Sequence, residues 1–193
     1  MGFEKIAQFE EALGAFTGAP YVVMTDCCTH AIELCLRYEK VYGCHFTAFT
    51  YISVAQTMSK LGITYGLTDE NDWVGEYQIH NTRIWDSARK LSMGMYCQGQ
   101  MQCLSFGHDK PLEIGHGGAI LLDDATAYNT LIRQRYDGRD LTISPWEEQK
   151  VFEQGYHYRP TIEDAIKGLE LLPTVDQEPK YKQYPDLRKI VIF

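Results

Sequence analysis

Gln102-Cys103-Leu104-Ser105-Phe106-Gly107-His108-Asp109-Lys110, followed after Ile114 by Gly115-His116-Gly117-Gly118-Ala119-Ile120-Leu121-Leu122, is the stretch on which the fold reading turns. Short apolar runs bounded by turn residues read as strands. Gln102–Phe106 and Ala119–Leu122 are therefore expected to form an antiparallel pair around a loop that carries Lys110. Upstream, Trp85-Asp86-Ser87-Ala88 puts a carboxylate at the end of a further strand, Thr82–Trp85.

Working outward, strands and helices alternate. Phe3–Phe16 is an amphipathic helix with Phe9, Leu13 and Phe16 on one face, broken by Gly18-Ala19-Pro20. Tyr21–Met24 is a strand. Thr29 is the expected cap of a helix over His30–Tyr38. His45–Thr50 and Ile63–Leu67 read as strands around a helix near Tyr51–Leu61. Helices are expected over Asp124–Tyr136, Trp146–Gln154 and Thr161–Leu172. The alternation predicts an α/β fold with a mostly parallel central sheet flanked by helices. Ligands of such sheets bind at the loops after strand carboxyl ends, where the Thr29, Asp86 and Ser105 segments lie. Residues 1–172 are expected to form one compact domain, and 173–193 a polar tail or arm that ends in Ile190-Val191-Ile192-Phe193.

An Asp, a Ser five residues before a Lys and a Gly-Gly turn are the groups a pyridoxal phosphate site needs. Lys110 can form the Schiff base with the cofactor aldehyde. Asp86 can hold the pyridine nitrogen protonated, which keeps the ring an electron sink. The Ser105 hydroxyl can bond the phosphate. A solvated Lys110, an Asp86 that only caps a helix and a Ser105 that is only a strand residue are the bland alternatives. At Thr29 the two readings coincide, because a helix N-terminus is itself a phosphate site.

These segments together resemble the DegT/DnrJ/StrS family of sugar aminotransferases, which are fold-type I pyridoxal phosphate enzymes. The likeness runs from Phe9 to Leu172. Phe16-Thr17-Gly18-Ala19 is similar to the family's opening turn, and Cys27-Cys28-Thr29-His30-Ala31 stands at its Ser-Gly-Thr-x-Ala phosphate loop. Thr50-Tyr51, Asp86-Ser87-Ala88, Ser105 to Lys110, Gly117-Gly118 and Gly155-Tyr156-His157-Tyr158-Arg159 match further motifs. The chain departs from the family at Cys28 (a Gly there), Arg89 (Gln or His), His116 (an acidic residue) and His157 (Asn). It is also short between Asp69 and Thr82 and after Leu172, where the family's small domain would follow.

The resemblance implies that Lys110 and Asp86 are catalytic. It implies that Cys28, Thr29, Tyr51, Asp86, Arg89, Ser105, Lys110 and His157 contact the cofactor, with Tyr51 stacked on its ring. Pyridoxal 5'-phosphate, and pyridoxamine phosphate during turnover, are the implied cofactor forms. The implied reaction moves an amino group from an amino acid donor, L-glutamate above all, to a keto sugar nucleotide or related cyclitol. A homodimer with shared sites is implied, with His157 reaching the partner's phosphate. Two rivals stay open: a catalytically reduced cofactor-binding or assembly protein, and a pyridoxal-dependent sugar dehydratase. The related dehydratases carry His in place of the lysine, against which Lys110 stands.

Composition narrows the partners. The chain has 193 residues, 45% hydrophobic content and a net charge of −8, which suits a globular domain with an acidic surface. No basic cluster points to nucleic acid, and no apolar run is long enough for a membrane helix. Six cysteines lack a C-x-x-C pair and the six histidines are scattered, so no metal site is expected. The N-terminus lacks a signal-peptide core, and a cytoplasmic protein with reduced thiols is expected.

Overall fold

The structure, a computed structural model, describes residues 3–191. Helix α1 (Phe3–Thr17) leads into β1 (Tyr21–Thr25), α2 (Cys28–Tyr38), β2 (Gly43–Thr47), α3 (Ile52–Leu61) and β3 (Thr64–Thr68). Then come β4 (Tyr77–Gln78), β5 (Ile84–Asp86), β6 (Met101–Ser105), β7 (Gly118–Leu122), α4 (Ala125–Gln134) and α5 (Ile162–Leu171).

The main sheet has the order β1-β7-β6-β5-β4, and β2 pairs with β3 in a second sheet. Pairing is mixed. β6 is parallel to β5, β7 is antiparallel to both β1 and β6, and β4 is antiparallel to β5. β2 and β3 are parallel to each other, and an antiparallel bridge from His45 to His80, in the chain leaving β4, aligns them with β5. So β1, β2, β3, β5 and β6 point one way, while β4 and β7 run against them. The mostly parallel expectation holds for strand direction and needs correcting for pairing. Reversed β7 lies between β1 and β6, so neighbours in the main sheet are chiefly antiparallel.

Both faces of the sheet are covered. On β7, Ile120 and Leu122 face a core built with α2, α3 and α4, while Ala119 and Leu121 face a second core built with α1 and α5. Two-sided burial explains why Gly118–Leu122 is an unbroken apolar run rather than an alternating one. Phe9 and Leu13 of α1 have no exposed surface; burying each stabilises the fold by about 1.5–3 kcal/mol. A buried ion pair from Arg135 to Glu10 ties α4 to α1, and Arg135 also donates to the Met24 carbonyl at 2.6 Å.

Two local expectations are corrected. Thr29 is not the cap of α2. The helix begins a residue earlier, and the extended Cys27 caps it through a thiol that accepts from the His30 N–H at 3.4 Å. Cysteine is not among the usual capping residues, which hid the start. Trp146–Gln154 is not a helix beyond a 3-10 turn at Trp146–Glu148. Val151 and Phe152 there are exposed, so a helix would have no buried face to stabilise it. Gln149 instead satisfies the extended backbone, accepting from Asp140 N–H at 2.9 Å and donating to Val151 O at 2.7 Å.

The short stretch between Asp69 and Thr82 contains β4, which sequence reading passed over. At the C-terminal end a 3-10 turn occupies Leu187–Lys189. The apolar end of the expected tail or arm, residues 190–193, lies partly outside the described residues. No helix among the described residues is long and apolar enough to cross a membrane, and all six cysteines are free thiols.

Candidate active site

Because β1, β5 and β6 share a direction, their carboxyl ends lie along one edge of the sheet. Asp86 ends β5, Ser105 ends β6, and α2 starts three residues beyond the end of β1. β7 begins at the same edge, with Gly118 in register between Thr25 and Ser105. A Cβ on Gly118 would come within 2.5 Å of the Cys27 and Cys28 backbone and 2.8 Å of the Leu104 carbonyl. Gly117 sits at a φ of 107°, which an L side chain rarely adopts. The glycine turn is thus what lets the lysine loop close against the start of α2.

One cavity of about 340 Å³ opens at this edge, within the range of small-molecule sites. Cys28, Thr29, Tyr51, Asp86, Arg89, Ser105 and Lys110 all line it. His157 does not. It lies outside this pocket, with Nδ1 3.0 Å from Asp137 in an exposed pair.

Asp86 is buried at the pocket floor. Its Oδ2 accepts from the Tyr77 hydroxyl at 2.8 Å and its Oδ1 from Ala88 N–H at 3.0 Å. Burial pushes the carboxyl above its usual range, while the Ala88 N–H, the Tyr77 hydroxyl and Lys110 pull it back. Each carboxylate oxygen keeps a free lone pair, and a cationic partner in the pocket would favour the charged form. Burial and Asp86 raise the Tyr77 phenol well above its usual value, so Tyr77 stays a neutral donor. Thr50 Oγ1 lies 2.7 Å behind it.

Lys110 follows Asp109, whose φ of 61° is left-handed; Asp is one of the residue types that enter this region most readily. The half-buried Lys110 ammonium is pushed below the usual lysine range, first by burial and also by Arg89 and Lys182; Cys28 and Asp86 oppose this. A desolvated amine of this kind is a nucleophile and a base. The Arg89 side chain is only 3% exposed. It donates to the Lys180 carbonyl at 2.9 Å and to Asp109 at 3.1 Å.

Thr29 Oγ1 lies 2.8 Å from Ser53 Oγ, in the first turns of α2 and α3, and both residues line the pocket. Cys28 is buried, its thiol raised well above the usual value by burial and by Asp86, and it donates to the Cys103 carbonyl at 3.5 Å. It is therefore a neutral wall of the site rather than a thiolate. Tyr51 caps α3 with its backbone and is 59% exposed, so a planar group can stack on its ring. Beside the mouth, Asp26, Cys27 and His30 bring their polar atoms within 4.8 Å of one another. Both Asp26 oxygens engage His30 Nδ1, and the His30 ring lies flat on Tyr158 at 3.6 Å, so the trio reads as a cap network.

Sequence reading missed Trp73, Tyr77, Lys182 and Tyr184. Tyr77 sits on a two-residue strand, too short for any periodicity. Lys182 and Tyr184 belong to the polar tail, where the interleaved Tyr181-Lys182-Gln183-Tyr184 was the one available signal.

The donor set fits pyridoxal phosphate: an amine, a buried carboxylate, hydroxyls at a helix N-terminus and an exposed aromatic face share one cavity. Residues 1–75 match the model of the DegT/DnrJ/EryC1/StrS aminotransferase family. The sugar aminotransferase CalS13 from Micromonospora echinospora is similar in structure, with a TM-score of 0.75, 17% identity, and coverage of 88% of this chain and 60% of that one. AtS13 from Actinomadura melliaura gives 0.72, 23%, 88% and 60%. Helicobacter pylori PseC, an aminotransferase involved in the biosynthesis of pseudoaminic acid, gives 0.70, 18%, 88% and 57%. No curated protein matches the chain in sequence. The chain spans about 60% of the length of these solved structures. Its fold is that of the large domain of the fold-type I pyridoxal phosphate aminotransferases, and through its first 75 residues it resembles the DegT/DnrJ/EryC1/StrS aminotransferase family.

Proposed function

We propose that this chain is a pyridoxal phosphate-dependent aminotransferase that moves an amino group from an amino acid, L-glutamate first, to a keto sugar nucleotide or related cyclitol. The observation that carries the reading is the convergence of Lys110, Asp86, Thr29, Ser105 and Tyr51 on one cavity. The match over residues 1–75 and the names of the similar structures support it.

Bound there, pyridoxal phosphate would supply an electron sink for a carbanion at the donor's α-carbon. The first turn of α2, with Thr29, and Ser105 would hold the phosphate. Asp86 would accept from the ring nitrogen, with Tyr77 and Ala88 fixing its orientation. Tyr51 would cover the ring. Lys110 Nζ would attach the cofactor and then move the proton off the donor's α-carbon, a base role suited to its lowered pKa. Arg89 is braced by Asp109 and Lys180 and would present charge to the ring's phenolic oxygen.

The shared-site homodimer belongs to the same proposal. His157 is exposed and away from its own chain's pocket, which suits a role at a partner's site. We place the protein in the cytoplasm, a reading the six free thiols support.

The test is direct. Borohydride reduction of the cofactor-loaded protein should label the peptide containing Lys110; label on Lys90 or Lys167 instead would overturn the assignment. Asp86→Asn should keep part of the cofactor binding and slow the glutamate half-reaction by roughly 10- to 150-fold, the worth of a hydrogen bond to a charged group. A wild-type protein that holds the cofactor but never passes its amine on would favour the reduced, assembly-type reading.

A further inference from the structure

Residues 180–187 run back across the mouth of the pocket. One end is pinned at residue 89: Lys180 N–H donates to the Arg89 carbonyl at 2.8 Å, and Arg89 Nε donates to the Lys180 carbonyl at 2.9 Å. The other end is pinned by Leu187, whose N–H donates to the Ala48 carbonyl at 2.9 Å and whose side chain is buried in the core beneath α2 and α3. Between these anchors Lys182 and Tyr184 line the same cavity as Lys110 and Asp86. The Tyr184 ring stacks on Trp73 at 5.9 Å and 17°, and Trp73 is held by its indole N–H to the Phe49 carbonyl at 3.1 Å.

The charges at this wall do not cancel. Asp109 is the carboxylate that faces both Arg89 and Lys182. It accepts from Arg89 at 3.1 Å, while its nearest approach to Lys182 Nζ is 3.7 Å, beyond hydrogen-bond distance. Asp86 is bonded to Tyr77 and Ala88 on the floor. Lys182 therefore offers the cavity an ammonium with no hydrogen-bonded carboxylate, on a segment fixed at both ends. Its side chain is half exposed where it lines the cavity with Lys110, so an incoming anion can reach it.

We propose that Lys182, with Tyr184 beside it, recognises the anionic end of the substrate, either a carboxylate of the amino donor or a phosphate of a nucleotide-linked acceptor. This rests on the reading of the cavity as an aminotransferase site. A solvated lysine that merely flanks Asp109 would instead contribute almost nothing.

The test uses the cofactor-loaded protein and two unreactive anions, glutarate and thymidine diphosphate, titrated by calorimetry into wild type, Lys182→Gln and Lys182→Arg. One of the two anions is expected to bind about tenfold or more weakly to Lys182→Gln. Lys182→Arg should restore most of the affinity, while the melting temperature and the cofactor's absorbance stay unchanged. The anion that responds identifies the source of the charge. In the half-reaction a donor-carboxylate role raises the half-saturating glutamate concentration in Lys182→Gln. Equal affinities in wild type and Lys182→Gln for both anions would overturn the proposal, as would failure of wild type to bind either. If the anion binds through Lys182 and no donor reacts with wild type, this inference stands and the aminotransferase reading falls.

Discussion

The cavity has two walls of different character. One is built from strand ends and a helix start: Asp86, Ser105, Thr29 and the Lys110 loop, each within five residues of a regular element. The other is built from irregular chain: Trp73, Lys182 and Tyr184, from the connection before β4 and from the C-terminal segment. The first is fixed by backbone hydrogen bonding in the sheet. The second is held by aromatic stacking and by a few bonds to Arg89, Phe49 and Ala48. Rigid scaffold positions the groups proposed for chemistry, and loop contacts position those proposed for selectivity, the common division of labour in enzymes.

That contrast can be broken from the first wall. Lys110→Ala should remove the covalent cofactor and cut the donor half-reaction by at least about 10²–10⁴-fold, the usual worth of a positioned proton carrier. A loss under tenfold in single-turnover absorbance would mean the first wall is not where the chemistry is done.

The next largest effect should appear in stability. Gly118→Ala forces a methyl group against the Cys27–Cys28 backbone at 2.5 Å, and neither strand β6 nor the start of α2 can move aside. A destabilisation of about 1–3 kcal/mol is expected, with weaker cofactor retention, read by denaturant melts with and without cofactor. An unchanged midpoint would show that the glycine turn is looser than its register implies.

Trp73→Phe sharpens the second wall. It keeps an aromatic face for Tyr184 and deletes the indole N–H bond to Phe49, a loss of about 0.5–1.5 kcal/mol. Amide exchange should speed up at residues 180–187 and stay unchanged in β5 and β6. Uniform acceleration across both walls would deny that they are separable.

The smallest effect is a pH dependence beside the first wall. Burial opposes the charging of His30, but hydrogen bonds to Asp26 and Cys27 outweigh it and lift its pKa from 6.5 to about 9. A group whose pKa is raised on folding adds stability that is full below pH 6.5 and lost as pH climbs through about 9. Wild type should therefore lose some stability between those values. His30→Gln, which can still bond Asp26 but cannot titrate, should show a flatter profile in melts across that window. Identical profiles would remove His30 from the linkage.

Much of this was determined by sequence alone. The antiparallel pair around Lys110 is where the flanking apolar runs put it, because short runs between glycine-rich turns have few alternatives. α1, α3, α4 and α5 keep nearly the ends their caps and breakers mark, with Asp124 and Thr161 accepting from first-turn N–H groups. The strand-end positions of Asp86 and Ser105 followed from the same local rules, and so did their meeting at one edge once the strands were given one direction.

What local signals could not supply, tertiary structure decided. Reversed β7 between β1 and β6 is a choice among long-range pairings that no local pattern encodes. The start of α2 depends on a thiol cap with no propensity signal, and Trp146–Gln154 stays extended because no apolar surface waits to bury it. Trp73, Lys182 and Tyr184 reach the cavity from distant chain. Their place comes from burial of Leu187 and from a few hydrogen bonds to Arg89, Phe49 and Ala48, interactions that exist only after the sheet and its two cores have formed.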